Sequence, residues 1–147
     1  VCGKQPDVAA LQDLLLYTLM GLSQVAVEGR MVGVIDEDVN VFTVKASFST
    51  LTNVDFDPDR FVELINQAVA KRDQLKATVT SASGDVTALR KASDFIPDET
   101  KEGLIKQAQS LGLKSYPGDD PDILSLVSFT DTEQRHWTIT KHLFGLL

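Results

Sequence analysis

The sequence is poor in the residues from which disulfides, metal centres and nucleic-acid interfaces are built. One cysteine, Cys2, stands in 147 residues. No intrachain disulfide can form, which fits a reducing compartment and predicts a cytoplasmic protein. There are two histidines, His136 and His142, and their spacing of six keeps them off a common helix face. Basic residues are also scarce, with 14 Lys plus Arg against 21 Asp plus Glu and a formal net charge of -7. The densest basic group is Lys71, Arg72 and Lys76, and Asp73 interrupts it. Phosphate backbones demand a clustered basic face, so no nucleic-acid partner is expected.

Long apolar runs are missing too. The most apolar stretch, residues 14–22, is broken by Thr18 and Gly21. It falls short of the roughly 20 residues that cross a bilayer, so no membrane association is expected. No charged segment precedes an apolar stretch in the manner of a signal peptide, and Val1 in place of Met reads as a cut or processed end. Glycine-rich dinucleotide loops, phosphate loops and serine-elbow motifs are all absent from the sequence.

What remains is an ordinary globular balance, 43% hydrophobic and 24% charged, with material for a real core. Pro6 and Asp7 open a first helix, with Asp7 placed to accept a first-turn N–H. Val8, Leu11, Leu15, Leu22 and Val25 repeat at helical spacing. Leu14, Leu16, Tyr17, Leu19 and Met20 widen that stripe until it nearly encircles the helix. A helix apolar on every side is buried on every side. Another copy of the chain, or a domain beyond it, is therefore expected to cover the second face, giving a homo-oligomer through the first helix. Gly29 and Gly33 are the expected end of this helix.

Asp36, Glu37 and Asp38 supply negative charge for a second helix start. Residues 39–53 fit two patterns. Val39, Val41, Thr43 and Val44 suit a strand, whereas Val39, Phe42, Ala46 and Asn53 share a helix face, which is the preferred reading. A third helix has Asp57 as N-cap, Pro58 at its first position and Phe56 and Phe61 placed as a hydrophobic staple. Its stripe of Phe61, Leu64, Ile65, Ala68, Val69, Leu75 and Val79 predicts a helix to about Val79. After a polar link over residues 80–85, a short helix is expected over 86–92 and another from near Asp98 to Gly112. Pro121 and Asp122 open a further helix whose start repeats the Pro6 and Asp7 start, and Ile139, Leu143, Phe144, Leu146 and Leu147 outline a short amphipathic tail. The expected fold is all-α: an antiparallel three-helix bundle over residues 1–83, followed by an incomplete second helical unit over 84–147.

Three stretches carry a family resemblance. They are Val1-Cys2-Gly3-Lys4, then Leu11-Gln12-Asp13-Leu14-Leu15 with Gly21-Leu22, then Phe48-Ser49-Thr50-Leu51-Thr52-Asn53. In that order and spacing they resemble the opening of a hybrid cluster protein, the prismane or hydroxylamine reductase family. The helix from Asp57, with Arg72-Asp73 near its end, and Leu111-Gly112-Leu113 followed by Asp122-Ile123-Leu124-Ser125-Leu126 are similar to the same family. The likeness runs to about Leu126, after which Val127-Ser128-Phe129-Thr130-Asp131 departs from the family's long apolar helix.

The resemblance implies two three-helix bundles, the segment from Pro121 beginning the second, and it favours helix for residues 39–53. It also implies a 4Fe-4S cubane held by four cysteines, of which Cys2 would be the fourth, and a hybrid iron-sulfur-oxygen cluster whose ligands come from later domains. Thr52 and Asn53 match a pair that faces the hybrid-cluster pocket, where a hydroxyl and an amide can orient a small polar substrate. The chemistry implied is reduction of hydroxylamine or nitric oxide. With one thiolate of the four that a cubane takes, no cofactor is expected in this chain, no catalytic residue is assigned, and the chain is expected to be silent alone.

Plainer readings stand beside these. Cys2 is also an ordinary thiol near a terminus, and Thr52 and Asn53 also suit a helix C-cap. Asp55, Asp57 and Asp59 imitate a calcium loop, but Arg60 and Asn66 stand where Gly and Glu are needed. Glu133 and His136 have the Glu-x-x-His form of di-iron bundles, which need a second such pair and further Glu residues.

Overall fold

A computed structural model describes residues 6–50, 57–113 and 120–128. Among these residues the chain is all helical: α1 (Pro6–Met31), α2 (Glu37–Ser49), α3 (Pro58–Ser81), a single 3-10 turn (Lys91–Asp94), α4 (Lys101–Leu111) and α5 (Pro121–Ser128).

The ends of the elements follow from local chemistry. Gly33 takes φ of +81° after α1. There the Val34 N–H donates to the Gly29 carbonyl at 2.8 Å and the Gly33 N–H to the Arg30 carbonyl at 3.2 Å, the paired bonds of a Schellman stop. The end of α3 repeats this arrangement, from Gly84 to Val79 at 2.8 Å and from Ser83 to Thr80 at 3.0 Å. Here the left-handed residue is Ser83, with φ of 69°, rather than the glycine beside it. Asp36 caps α2 by accepting from the Val39 N–H at 3.2 Å, and Asp57 caps α3 ahead of Pro58.

Residues 39–49 are helical, as preferred over strand, and residues 51–53 of that reading lie outside the described residues. Val39, Thr43 and Val44 are buried on it, and the Thr43 hydroxyl donates back to the Val39 carbonyl at 2.8 Å. Residue 56 of the expected staple lies outside the described residues, while Phe61 is fully buried. The helix start near Asp98 moves to Thr100, whose hydroxyl accepts from the Gly103 N–H at 3.0 Å. Asp98 instead accepts from both the N–H and the hydroxyl of Thr100. Gly112 ends α4 at φ of 63°, as expected.

The short helix expected over 86–92 is not formed. Arg90 and Phe95 are extended and flank the 3-10 turn. Arg72, on α3 and 3% exposed, donates through Nη1 to the Phe95 carbonyl at 2.6 Å and the Ala92 carbonyl at 3.4 Å, tying this turn to α3.

The helices run up, down and up. The far ends of α1 and α3 meet where Gly29 faces Val79, and the start of α2 lies beside Lys71, Gln74 and Thr78 of α3. From there residues 90–95 descend along α1 as a strap. Arg90 bonds Gln24, Ala92 rests on Gly21, and the Phe95 ring meets Tyr17 edge-on at 5.6 Å. A Cβ on Gly21 would collide with the Ala92 carbonyl, so only glycine admits the strap this close. Helix α4 packs on α1 and α3, and α5 on α1 and α2.

α1 is thus the axis of the molecule, touched by every other element. Leu11, Leu14, Leu15, Leu19, Leu22 and Val25 are fully buried on it. Each such side chain contributes on the order of 1.5–3 kcal/mol by burial. Around it, α4, α5 and the strap pack on α1 from within the chain. Taken whole, α1 is long and apolar enough to cross a bilayer, but 67% of its most apolar window is buried against the other helices, the pattern of a core helix. The link at residues 83–84 follows α3, and buried residues from both sides of it share one hydrophobic cluster.

Candidate functional site

The three residues singled out by resemblance, Cys2, Thr52 and Asn53, lie outside the described residues. The same holds for Asp55, for Glu133 with His136 and His142, and for the tail from residue 129. What can be stated is the frame they hang from. Cys2 precedes α1, and Thr52 and Asn53 belong to the link between α2 and α3. In that frame α1 and α3 are long and parallel, and Leu11, Leu14, Leu15, Phe61 and Ile65 are buried in one hydrophobic core.

An iron-sulfur cubane takes four thiolates and the sequence holds one. Among the described residues no group of three or more His, Cys, Asp or Glu converges on one point.

Two polar nodes do form, and both are joints. At the first, Arg72 holds the strap. Its charge is met by Asp73, with Nε and Nη2 at 3.0 and 2.9 Å from one carboxylate oxygen. The residue occupies the next seat on the stripe of Ile65, Ala68, Leu75 and Val79, so its burial was legible from helical spacing although its charge disguised it. At the second, Asp120 caps α5, accepting from the N–H groups of Asp122 and Ile123 at 3.0 and 2.9 Å, and Arg90 pairs with Asp120 and Asp122. No motif announces that node, since Arg90 and Asp120 are 30 positions apart in the numbering.

Three exposed carboxylates titrate below their ordinary value of 3.8. Asp94 is held down chiefly by the hydrogen bond from Lys76 at 2.7 Å. The Thr100 N–H and then its hydroxyl lower Asp98, and the Thr87 hydroxyl and then its N–H lower Asp85. Each is an acceptor at a turn or ion pair. A cleft of about 180 Å³ opens between α2 and α3, lined by Asp36, Asp38, Lys71, Gln74 and Thr78. Ligand sites usually enclose about 300–1,000 Å³. Lys71 also sits over the Phe42 ring, 5.2 Å from its centroid, so the cleft is better read as a seam between two helices.

Comparison with known proteins supplies what the geometry does not. The Prismane/CO dehydrogenase family profile matches residues 1–142, running past Leu126, where the likeness read from the sequence stops. A hydroxylamine reductase of Syntrophobacter fumaroxidans is 57% identical over 126 residues, covering 86% of this chain and 23% of that protein. A hydroxylamine reductase of Methanocella arvoryzae is 50% identical over 115 residues, 78% of this chain and 21% of the relative. One from Solidesulfovibrio magneticus is 46% identical over 127 residues, 86% and 23%. The chain spans less than a quarter of the length of these relatives, matching their N-terminal part. It belongs to the Prismane/CO dehydrogenase family.

Proposed function

We propose that these residues are the N-terminal helical part of an iron-sulfur oxidoreductase that reduces hydroxylamine or nitric oxide, and that they are catalytically silent by themselves. The observation that carries this is the 57% identity to a hydroxylamine reductase over 86% of the chain. In this reading Cys2 gives one thiolate to a 4Fe-4S cubane completed by cysteines outside the sequence. Thr52 and Asn53 present a hydroxyl and an amide to the substrate pocket. The bundle contributes position: a close-packed core fixes where those segments leave it. A cytoplasmic location belongs to the same proposal, since an exposed cubane is served by a reducing compartment.

The test is iron and acid-labile sulfide per chain on protein made without oxygen, with hydroxylamine-dependent oxidation of a reduced viologen dye followed in parallel. The expected result is almost no iron, no dye oxidation, and a fully helical circular dichroism spectrum. About one iron per chain would mean four chains sharing one cubane through their Cys2 thiolates. Dye oxidation by the purified chain would overturn the silent-scaffold reading.

The alternative is a self-association module, which needs apolar surface open to a second copy. Met31 and Ile96, each 78% exposed, Ile35, 50%, and Leu111, 44%, are the large apolar side chains exposed among the described residues.

A further inference from the structure

We propose that Arg90 is an ionic latch holding α5 on the bundle, so that α5 comes away as a unit, ahead of the rest of the fold, when the latch is broken. One side of the latch is fixed to α1. The Arg90 N–H donates to Gln24 Oε1 at 2.8 Å, and its carbonyl accepts from the N–H and hydroxyl of Ser93 at 2.9 and 2.8 Å. The other side grips α5: guanidinium Nη2 lies 2.9 Å from Asp120 Oδ2 and 2.6 Å from Asp122 Oδ2.

The two partners depend on the contact unequally. The Arg90 side chain is 43% exposed and keeps water whether or not α5 is present, whereas that of Asp120 is 2% exposed. A buried carboxylate without a counter-charge is strongly disfavoured, so the docked position of α5 needs Arg90, while the strap does not need α5. The described apolar grip of α5 is Ile123 and Leu126 on α1 and α2. Release therefore uncovers the part of α1 and α2 beneath it. The three-helix bundle and strap remain, since Arg72, Gly21 and Gln24 hold the strap independently.

The experiment is amide hydrogen exchange on the whole chain, comparing the unaltered protein with Arg90→Gln, Asp120→Asn and the double variant. In Arg90→Gln, exchange over residues 121–128 should quicken by on the order of tenfold or more, the loss expected for charged hydrogen bonds. The α3 amides should keep their rates. Asn caps a helix as well as Asp but carries no charge to bury, so Arg90→Gln should have a smaller effect in the Asp120→Asn background. The proposal is overturned if Arg90→Gln leaves residues 121–128 unchanged, if exchange quickens equally in α3 and α5, or if the variant fails to fold. It is also overturned if the two substitutions simply add.

Discussion

Ser83 holds the left-handed turn after α3 at φ of 69°, a conformation that costs an L-residue on the order of 1 kcal/mol and a glycine almost nothing. Gly84 follows it, and a Cβ there would run into the Val79 side chain. The two residues thus stand in the opposite order from the one that local strain alone would choose. Ser83→Gly should raise stability by about 1 kcal/mol, less a few tenths for the added freedom of the unfolded chain. Gly84→Ala should lower it by about 1–3 kcal/mol through the clash with Val79. Urea midpoints of the two variants, moving in opposite directions, check this. The sequence placed this stop correctly in a polar link, but which residue turns left depends on Val79 beneath, and no local pattern shows that. Arg72 teaches the converse. Its seat on the apolar stripe was visible, and its role as a strap holder needed the carbonyls of Ala92 and Phe95, residues 20 and 23 positions away.

At the scale of elements, the helix starts were the most legible, because Asp36, Asp57 and Pro58 act within one turn. The region between α3 and α4 was the least legible, because side chains from other helices shape it. That region also carries Asp85, Asp94 and Asp98, whose pKa values folding lowers from 3.8. A lowered folded pKa means that the stabilisation is complete above the unfolded value and is lost as pH falls through the folded one. The urea midpoint should therefore hold steady from neutrality to about pH 5 and decline below about pH 4. Asp94→Asn, which gives up the ion pair with Lys76, should start from a slightly lower midpoint at neutral pH and show a shallower decline. An unaltered acid slope in that variant would mean that other carboxylates govern it. Of the candidate site, by contrast, family likeness carried everything: Cys2, Thr52 and Asn53 have no periodicity or cap pattern that assigns them a role beyond the ordinary one.

For the whole molecule, one hydrophobic cluster draws on all five helices, so the described residues should unfold together apart from α5. Light scattering on the purified chain at about 100 µM separates the two readings of its surface. A monomer is expected from the coverage of α1 and the net charge of -7. A dimer that dissociates on Met31→Ser with Ile35→Ser would place self-association at the α1–α2 turn. The central position of α1 has a further consequence, in time rather than in space. It is made before every element that buries it, and its last described partner, Leu126, is about 100 residues downstream of its end. At about 5–20 residues per second, this long apolar helix waits for several seconds or longer before its cover is complete. Synthesis therefore passes through an interval in which α1 lacks its cover, and slowing translation downstream of it would lengthen that exposure.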